Sequence, residues 1–355
     1  MATLAGISNF YKLPDLRRRV FFTLAMLAVY RVGCFVTLPG VDRNQMKEFV
    51  AGSGGLIGFF NLFSGGALEN LSIFALGIMP YISASIIMQL MGMLYPPVAE
   101  MRKEGEAGRR KLDQYTRYGT IAISLFQAFG ISRMLEGISG QDGGAGVVTA
   151  PGLGFQLMTI ITLTTGTAFL MWIGEQITER GVSNGTSLLI FASIIVAIPR
   201  SLGTYLQANA GDLQPLSMAI FGAAVIGMVA TVVFFENGRR QIPIVYSRRQ
   251  VGRRVYGAQN THLPLKVHIS GTIPPLFASS LLQFPATLAS LEIPGLDQVI
   301  TIINAGDWLF NAIYGALIVF FCFFYTNVTF QAVDVAENLK KQQANIPGLR
   351  HGKPP

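Results

Sequence analysis

The sequence predicts an all-α polytopic membrane protein, and three observations support this prediction. Hydrophobic residues make up 51% of the 355 residues, and charged residues make up only 13%. That charged fraction is about half of the roughly 25% that is typical of soluble domains. The charges are clustered, so long windows contain none, and most of these windows approach the roughly 20 residues that a helix needs to cross a bilayer. A soluble protein with a single core is therefore disfavoured.

Eight apolar segments carry this prediction. Only the first contains an unmistakable internal charge, Arg31, and the third is short enough to need flanking residues such as Thr116 or Met134. Almost none of them has the polar face of a helix at the surface of a soluble protein. The segments lie near Val20–Leu38, Leu71–Leu94, Tyr118–Gly130, Leu153–Gly174, Ser187–Leu206, Leu216–Phe235, Ile269–Leu288 and Trp308–Phe330.

The basic residues predict the orientation of these segments. If all eight segments span the membrane, most of the 27 Lys and Arg residues fall on the side of the N-terminus. Cytoplasmic connections are enriched in Lys and Arg, so the N-terminal arm, residues 1–19, and the tail, residues 331–355, are predicted to be cytoplasmic. The exceptions on the other side are Arg31, Arg43, Lys47, Arg133 and Arg200.

Several functional classes lack the residues that they need. Cys34 and Cys322 both lie in apolar stretches, which excludes a disulfide framework and a thiolate metal site. His262, His268 and His351 are isolated and have no metal-ligand spacing. No G-x-x-x-x-G-K-[ST] phosphate loop occurs, and no paired catalytic side chains lie at membrane depth. We therefore expect no cofactor, no metal and no catalytic residues.

The second and seventh segments share a pattern. Residues 77–89 and 271–283 coincide without a gap at Gly, Pro, Ala, Ser and Gln. The predicted topology runs the two segments in opposite directions, so the pattern predicts an inverted repeat with halves at residues 20–207 and 208–355. Such repeats place a pathway between the halves near the bilayer midplane. Two halves of five spans would require ten, so we expect two further spans. Chance similarity between apolar helices is the alternative.

The predicted pathway has an apolar lining. Apart from Arg200 toward the end of the fifth, segments 2 and 4–8 contain no Asp, Glu, Lys or Arg, whereas transporters of charged solutes place such residues in their spans. Apolar constrictions seal by dewetting and select little between substrates. This favours a conduit for a varied substrate. A secondary transporter for a small neutral solute is the alternative that the inverted repeat also fits.

A short apolar stretch precedes the second segment. Residues 54–70 are too few to span the membrane, and glycines lie at both ends of the apolar run. We interpret the stretch as a hinged external cap over the pathway, with Gly65 and Gly66 as the hinge. An amphipathic surface helix is the alternative.

Two connections have a distinct character. Residues 236–266 carry seven basic residues, and the strand-like alternation of 241–246 with Pro264 at the far end predicts an ordered cytoplasmic hairpin. This excess of charge favours docking to an anionic partner such as ribosomal RNA, with a simple topogenic anchor as the alternative. The Gly-rich connection from Gly137 to Gly154 is predicted to be a flexible external loop.

Five runs of residues resemble the SecY family, the channel subunits of the bacterial Sec protein translocase. They are residues 63–68 (FSGGAL), 73–85 (IFALGIMPYISAS), 103–111 (KEGEAGRRK), 174–181 (GEQITERG) and 252–256 (GRRVY). The resemblance implies ten helices in two inverted halves around a central pore with a short plug helix. It also implies that the channel moves unfolded polypeptides across the bacterial cytoplasmic (inner) membrane, or releases hydrophobic segments sideways into it.

The resemblance also implies site residues and partners. The pore ring falls on Ile78, Ile82, Thr186, Ile190 and Leu276, although an aliphatic residue is usual at position 186. The plug includes Leu56, Phe59, Phe60, Phe63, Gly65 and Gly66. The lateral gate includes Pro80, Ser85, Gln89, Pro274, Ser279 and Gln283. Contacts with the ribosome or motor fall on Arg239, Arg240, Arg248, Arg249, Arg253, Arg254 and Arg350. The implied partners are SecE and SecG, the SecA motor ATPase, the ribosome, signal peptides, nascent chains and anionic lipids.

Overall fold

The computed structural model describes residues 14–53, 61, 63–141, 147–208, 215–246, 249–251, 254–256, 260–271, 273–289, 308–330, 332–341 and 344–345. The chain forms two compact units, which are described separately. The first contains Met1–Ala208 and Phe277–Gly315, and the second contains Asn209–Leu276 and Ala316–Pro355.

In the first part of the chain the described residues form, in order, the helices α1 Pro14–Gly33, α2 Arg43–Ser53, α3 Met79–Leu94, α4 Pro96–Lys103, α5 Glu106–Gln141, α6 Leu153–Arg180 and α7 Gly185–Ala208. In this unit α5 packs against both α3 and α6, and α6 also packs against α1 and α7. Close approach is possible because glycines lie at the contacts. A Cβ on Gly185 of α7 would overlap the carbonyl oxygen of Gly174 in α6. Small residues of this kind are typical where membrane helices pack.

The second apolar segment is only partly helical. The sequence predicted a helix over Leu71–Leu94, but residues 64–78 form a series of turns and α3 begins at Met79. The prediction of a helix from Leu71 to Ile78 is therefore wrong. Positive φ angles of 37° at Leu71 and 58° at Gly77 interrupt a helical path, and the Ser72 hydroxyl accepts a hydrogen bond from the Phe74 amide.

The turns are buried, and backbone groups within them have hydrogen-bond partners. The amide of Leu38 donates to the carbonyl of Leu71 at 2.9 Å, and the amide of Ile73 donates to the carbonyl of Val36 at 3.0 Å. Irregular backbone at membrane depth is tolerated only where protein or water supplies such partners. The chain that leaves α1 therefore supports the turns by local β-type pairing.

The third apolar segment belongs to a much longer helix. Helix α5 has 36 residues, so it is about 54 Å long. It includes Thr116 and Met134, which confirms that the short segment continues into both flanks. Its first turns carry Arg109, Arg110 and Lys111, which are exposed. The helix is thus longer than an apolar core of about 30 Å requires.

The Gly-rich connection is more ordered than predicted. Residues 137–141 continue helix α5, and Val147 and Val148 are buried with Leu38, Met46 and Leu135 in a small apolar core. The amide of Asp42 also donates to the carbonyl of Val147 at 2.9 Å. The prediction of a flexible loop from Gly137 to Gly154 is therefore wrong for residues 137–141, which are helical, and for Val147 and Val148. The two valines are ordered because they bury apolar surface in this small core. Residues 142–146 lie outside the described residues.

Three helices within the described residues are both long and apolar enough to cross a membrane. They are Leu153–Arg180, Met218–Asn237 and Trp308–Asn327. The shorter apolar helices are Gly185–Pro199 and Ile273–Leu282. The window that defines the second of the three is entirely exposed, as expected for a helix whose apolar surface faces lipid or another helix.

The strands that the structure describes all lie in the second unit, together with several helices. Its elements are α8 Pro215–Asn237, β1 Arg239–Tyr246, β2 Arg249–Val251, β3 Arg254–Tyr256, β4 Asn260–Lys266, α11 Ala332–Lys341 and β5 Ala344–Asn345. Helices α9 Ile273–Ala289 and α10 Trp308–Thr329 contribute residues to both units. Strands β1 and β4 pair antiparallel, which confirms the predicted hairpin. Pro264 lies within β4, at the edge of the sheet, where a missing amide is tolerated.

Candidate functional site

The hinge turn, which we define as residues 64–70, lies at the centre of the first unit. Gly65 and Gly66 have φ angles of 65° and 83°, in the left-handed region that glycine adopts without strain. A Cβ on Gly65 would lie 3.0 Å from the Cα of Ser193 in α7, so the turn touches that helix. Both glycines therefore have the conformation that a hinge requires, and Gly65 also makes a close contact with α7.

Two residues of α1 hold the start of the hinge turn. The hydroxyl of Tyr30 donates to the carbonyl of Ser64 at 3.1 Å and lies 2.6 Å from the hydroxyl of Ser193. The guanidinium of Arg31 donates to the carbonyl of Gly65 at 2.7 Å. Arg31 also lies over the ring of Phe35, 5.2 Å from its centroid. The one charge within the first apolar segment thus has a backbone partner in the hinge turn.

A different set of contacts holds the end of the hinge turn. Arg43 of α2 donates to the side-chain oxygen of Asn70 from two nitrogens, at 3.1 and 2.8 Å. The side-chain amide of Asn70 in turn donates to the carbonyls of Gly66 at 3.0 Å and Cys34 at 3.5 Å. Asn70 is buried, and charge-assisted bonds of this kind are roughly twice as strong as neutral ones. Each end of the hinge turn is therefore held by an arginine, Arg31 at the start and Arg43 at the end.

The predicted pore-ring residues fall on three helices. Ile78 and Ile82 are buried one turn apart at the start of α3, and the Ile82 amide donates to the Ile78 carbonyl. Ile190 is half-buried in α7. Leu276 is half-buried in α9 and belongs to the other unit. Within the first unit, α3 and α7 both pack against α6.

Thr186 has a local role that its predicted place in the ring did not suggest. Its hydroxyl donates to the side-chain oxygen of Asn184 at 2.6 Å, and its amide donates to the same oxygen at 3.1 Å. Its methyl group lies 3.1 Å from where a Cβ on Gly174 would be. Thr186 therefore takes part in the N-terminal cap of α7 and in the contact of α7 with α6.

The predicted lateral-gate residues lie in two helices, α3 and α9, which begin in a similar way. Gly77 and Gly271 have φ angles of 58° and 56°, and each lies two residues before a helix whose second residue is a proline, Pro80 or Pro274. The side chains of other gate residues differ in exposure: Pro80, Pro274 and Ser279 are buried, and Ser85 and Gln89 are half-buried. The side-chain amide of Gln89 donates a hydrogen bond to the Ser85 hydroxyl at 3.3 Å. The side chain of Gln283 lies outside the described residues.

The basic hairpin presents exposed cations at its first register positions, on both faces of the ladder. Arg239 is paired directly opposite Lys266, and both are exposed. Pairing of like charges across a ladder is destabilising, and neither residue forms an ion pair with a carboxylate in the described part of the chain. The opposite face carries Ile242 and the buried Ile244. Arg240 is exposed as well, and its Cα is paired with that of Leu265.

The tail returns to this hairpin, which the sequence did not predict. Strand β5, Ala344–Asn345, pairs with the end of β1 at Val245 and Tyr246. A second small hairpin, β2 with β3, places the backbone of Arg249 opposite Tyr256 and that of Arg254 opposite Val251. Several predicted residues lie outside the described residues: Leu56, Phe59, Phe60, Arg248, Arg253 and Arg350.

The sequence interpretation missed the side chains that hold the hinge turn. Tyr30, Arg43 and Ser193 were not identified, although Arg31 was noted as the only charge within a span. An ionisable residue inside a predicted span is a signal, because its burial requires a polar partner. The partner here is a backbone carbonyl, which no side-chain pattern reveals. Among the described residues no group of three His, Cys, Asp or Glu could hold a metal ion.

Comparisons with known proteins match most of the chain. A family model described as SecY matches residues 72–355. The protein translocase subunit SecY of Escherichia coli (strain K12) is 47% identical over 348 residues, which are 96% of this chain and 78% of that protein. The same subunit of Buchnera aphidicola subsp. Acyrthosiphon kondoi is 47% identical over 344 residues, 95% of this chain and 96% of the relative.

A solved structure of a protein conducting channel has a similar fold. Its TM-score is 0.56 at 18% sequence identity, and the match covers 95% of this chain and 79% of that one. The prediction of an all-α polytopic membrane fold is thereby confirmed.

Proposed function

The chain belongs to the SecY family of protein translocase subunits, and we propose that it forms a channel that conducts unfolded polypeptides. In this proposal the channel moves chains across the bacterial cytoplasmic membrane or releases hydrophobic segments sideways into it. The observation that carries the proposal is 47% identity to the Escherichia coli subunit over 96% of the chain. At that level both the fold and the residues along the pathway are expected to be shared.

The geometry of the first unit supports this function. A mostly buried turn with two left-handed glycines lies close to Gly77, which precedes the buried Ile78 and Ile82, and this arrangement supports the proposal of a hinged plug beside an apolar ring. We propose that Ile78, Ile82, Ile190 and Leu276 line a ring that closes around the moving chain and excludes ions. The residues before the hinge turn, from about position 54, form the plug in this proposal.

The ring is tested by making its members small and polar. We expect replacement of Ile78, Ile82, Ile190 and Leu276 by Ser to make the resting channel leak ions in planar bilayers, because a polar ring stays wet. Ile226→Ser is the matched control, since Ile226 is 71% exposed on α8. Unchanged conductance in the ring variants, with translocation of a secretory precursor preserved, would contradict the ring assignment.

A transport function of a different class remains the alternative. An inverted-repeat protein with proline-broken helices could carry a small neutral solute. The measurement that separates the two is made in proteoliposomes: uptake of an unfolded precursor protein driven by a partner motor, against uptake of small neutral solutes. Protection of the precursor from external protease supports the channel. Solute uptake without precursor uptake would overturn it.

The basic hairpin is the proposed docking surface for cytoplasmic partners. Arg239 and Lys266 face each other and have no carboxylate partner among the described residues, so an anionic ligand would relieve their repulsion. We assign the hairpin arginines and Arg350 to contacts with the ribosome or with the motor SecA. The motor supplies the energy, because the sequence has no phosphate loop of its own.

Reversing the charge at the tip tests the docking surface. We expect Arg253→Glu with Arg254→Glu to weaken ribosome binding at fixed salt, since the attraction to phosphates is electrostatic. Arg133→Glu, an exposed arginine of α5, is the matched control. Equal affinities of the tip variant and the unmodified channel would exclude the tip as the docking site. The remaining partners in the proposal are SecE, SecG, signal peptides, nascent chains and anionic lipids.

A further inference from the structure

A surface cavity lies where the charged first turns of α5 meet the end of α6. Its volume is about 540 Å³, and we call it the α5–α6 cavity. Most of the described residues that line it form a stripe on one side of α5, because they follow each other at a spacing of three or four residues. The lining residues are Arg110, Asp113, Gln114, Arg117, Tyr118 and Glu179.

The charges around the cavity alternate in sign. Asp113 lies between Arg110 and Arg117 on the stripe, and Glu179 adds a second carboxylate from α6. Positions 110 and 113, and positions 113 and 117, are spaced for ion pairs on a helix. Even so, Arg110, Asp113 and Glu179 form no ion pair with any described residue. The cavity therefore presents separate cations and anions side by side, and the groups that line it have no net charge.

A carboxylate outside the lining holds Arg117 in place. The Nε of Arg117 donates to a carboxylate oxygen of Glu175 at 2.7 Å, and Glu175 is half-buried. A guanidinium also carries N–H donors on its two terminal nitrogens, and here these nitrogens have no hydrogen bond to a described residue. Paired donors of this planar kind match the oxygens of a phosphate group. Glu175 thus orients Arg117 and leaves its terminal nitrogens available for an anionic group.

The cavity lies at the depth expected for a lipid headgroup. Tyr118, at the start of the third apolar segment, is exposed, and its hydroxyl accepts a hydrogen bond from the side-chain amide of Gln114 at 2.9 Å. Tyrosines are enriched where a membrane meets water, since the ring is apolar and the hydroxyl is polar. The charged stripe therefore ends at a residue that is typical of the membrane interface.

Apolar surface continues from the cavity along both helices. On α5, Ile121 and Leu125 follow Tyr118 at helical spacing and are exposed. On α6, the exposed rings of Phe169 and Trp172 are stacked, with centroids 5.6 Å apart. Trp172 lies seven residues before Glu179, so it is about 10 Å away along the same side of the helix. Acyl chains could thus lie next to the charged stripe.

We propose that the α5–α6 cavity binds the headgroup of a zwitterionic phospholipid of the phosphatidylethanolamine type. The phosphate accepts hydrogen bonds from Arg110 and Arg117, and the primary ammonium donates to Asp113 and Glu179. This inference depends on the membrane fold and not on the proposed channel function.

Other occupants match the lining less well. An anionic headgroup would pair with the arginines but would bring no cation for Asp113 and Glu179. A trimethylammonium headgroup has the charges but no N–H to donate to the carboxylates. A helix of a partner protein would cover the apolar surface, but it would need its own pair of opposite charges at headgroup depth.

The fluorescence of Trp172 tests the proposal. The full chain with Trp308→Phe is placed in phosphatidylcholine vesicles that contain an equal fraction of a phosphatidylethanolamine, a phosphatidylglycerol or a phosphatidylcholine with brominated acyl chains, which quench tryptophan. We expect the brominated phosphatidylethanolamine to bind beside Trp172 about fivefold more tightly than either other lipid, as exposed charge pairs of this kind predict. The control is Trp308, which is 80% exposed on α10, in a Trp172→Phe background, where we expect no preference.

Charge-removing variants assign the preference to the cavity. We expect Asp113→Asn with Glu179→Gln to abolish the preference for phosphatidylethanolamine, and Glu100→Gln, at an exposed carboxylate of α4, to leave it unchanged. Equal quenching of Trp172 by the three lipids would overturn the proposal, as would stronger quenching by phosphatidylglycerol or a preference that survives in the double variant. The measurement is repeated on the complex purified with its partner subunits. Loss of the preference there would assign the cavity to a partner helix and likewise overturn the lipid site.

Discussion

Gly166 of α6 is the position where a single methyl group should disturb the site most. A Cβ there would lie 1.9 Å from the carbonyl oxygen of Ile73 and 3.4 Å from a ring carbon of Phe74. Both neighbours belong to the buried turns that connect the hinge turn to α3. For Gly166→Ala we therefore expect the turns to move about 1.5 Å away from α6, since an ordinary contact is about 3.5 Å.

The expected loss of stability follows from the contacts that this movement strains. Overpacking of a tight interior contact by one carbon destabilises by about 1 to 3 kcal/mol. The turn is also tied to the chain after α1 by the Ile73–Val36 and Leu38–Leu71 hydrogen bonds, each with a net value near 1 kcal/mol. A total of about 3 kcal/mol corresponds to about a 150-fold increase in the population of the opened state.

A natural cysteine reports on this opening. Cys34 is 1% exposed, and its carbonyl accepts a hydrogen bond from Asn70, so it lies beside the turns. In a Cys322→Ser background we expect a thiol-reactive dye to label Cys34 about 150-fold faster in Gly166→Ala than in the parent, under conditions where opening is in rapid equilibrium. The matched control is Gly203→Ala in α7, where no atom lies within 4 Å of the added Cβ.

The control should behave in the opposite way. Ala is favoured over Gly in a helix by about 1 kcal/mol, so Gly203→Ala is expected to stabilise α7 slightly and leave Cys34 protected. Equal labelling rates for Gly166→Ala and Gly203→Ala would refute the close packing of the turns against α6.

Two further substitutions probe the supports of the same unit by the same labelling of Cys34 and by unfolding in mixed micelles. For Arg43→Ala we expect a loss of about 2 kcal/mol, because the charge-assisted grip on buried Asn70 disappears, whereas exposed Arg133→Ala should change little. If Cys34 in Arg43→Ala were labelled at the parent rate, the contact of Arg43 with Asn70 would not hold the end of the hinge turn. For Glu136→Ala we expect a loss of about 1 to 2 kcal/mol, because its carboxylate accepts from the Gly152 amide at 2.9 Å and so anchors the start of α6. An unchanged unfolding midpoint would mean that the bond is not made.

The apolar helices could be predicted from the sequence because each one depends on its own composition. Leu153–Arg180 and Trp308–Thr329 contain the predicted segments almost unchanged. The turns at 71–78 could not be predicted, because the residues there are as apolar as those of a span. What makes them turn is the pairing of Leu71 and Ile73 with the chain after α1, which is a contact between distant residues.

The same limit applies to the candidate site. Glycine pairs have local conformational meaning, so a turn at Gly65 and Gly66 could be predicted, whereas Pro80 was placed inside a helix predicted from Leu71 and in fact lies at a helix start. Tyr30 and Ser193 are 163 residues apart, and nothing in either neighbourhood indicates that their hydroxyls meet at 2.6 Å. Polar residues inside apolar segments are the positions where a sequence interpretation should ask for a partner.

The repeat between the second and seventh segments has a physical explanation at its first four residues. A left-handed glycine ends the preceding backbone direction, and a proline near the start of a helix needs no amide partner. Gly77 with Pro80, and Gly271 with Pro274, satisfy both conditions with φ angles of 58° and 56°. Chance similarity in apolar composition gives no reason for two glycines to share this conformation at the same distance from a helix start. A helix-start signal alone would explain the Gly and Pro, but not Ser85 with Ser279 or Gln89 with Gln283. These later matches lie where the helices are already established, so they favour two related segments over two independent helix starts.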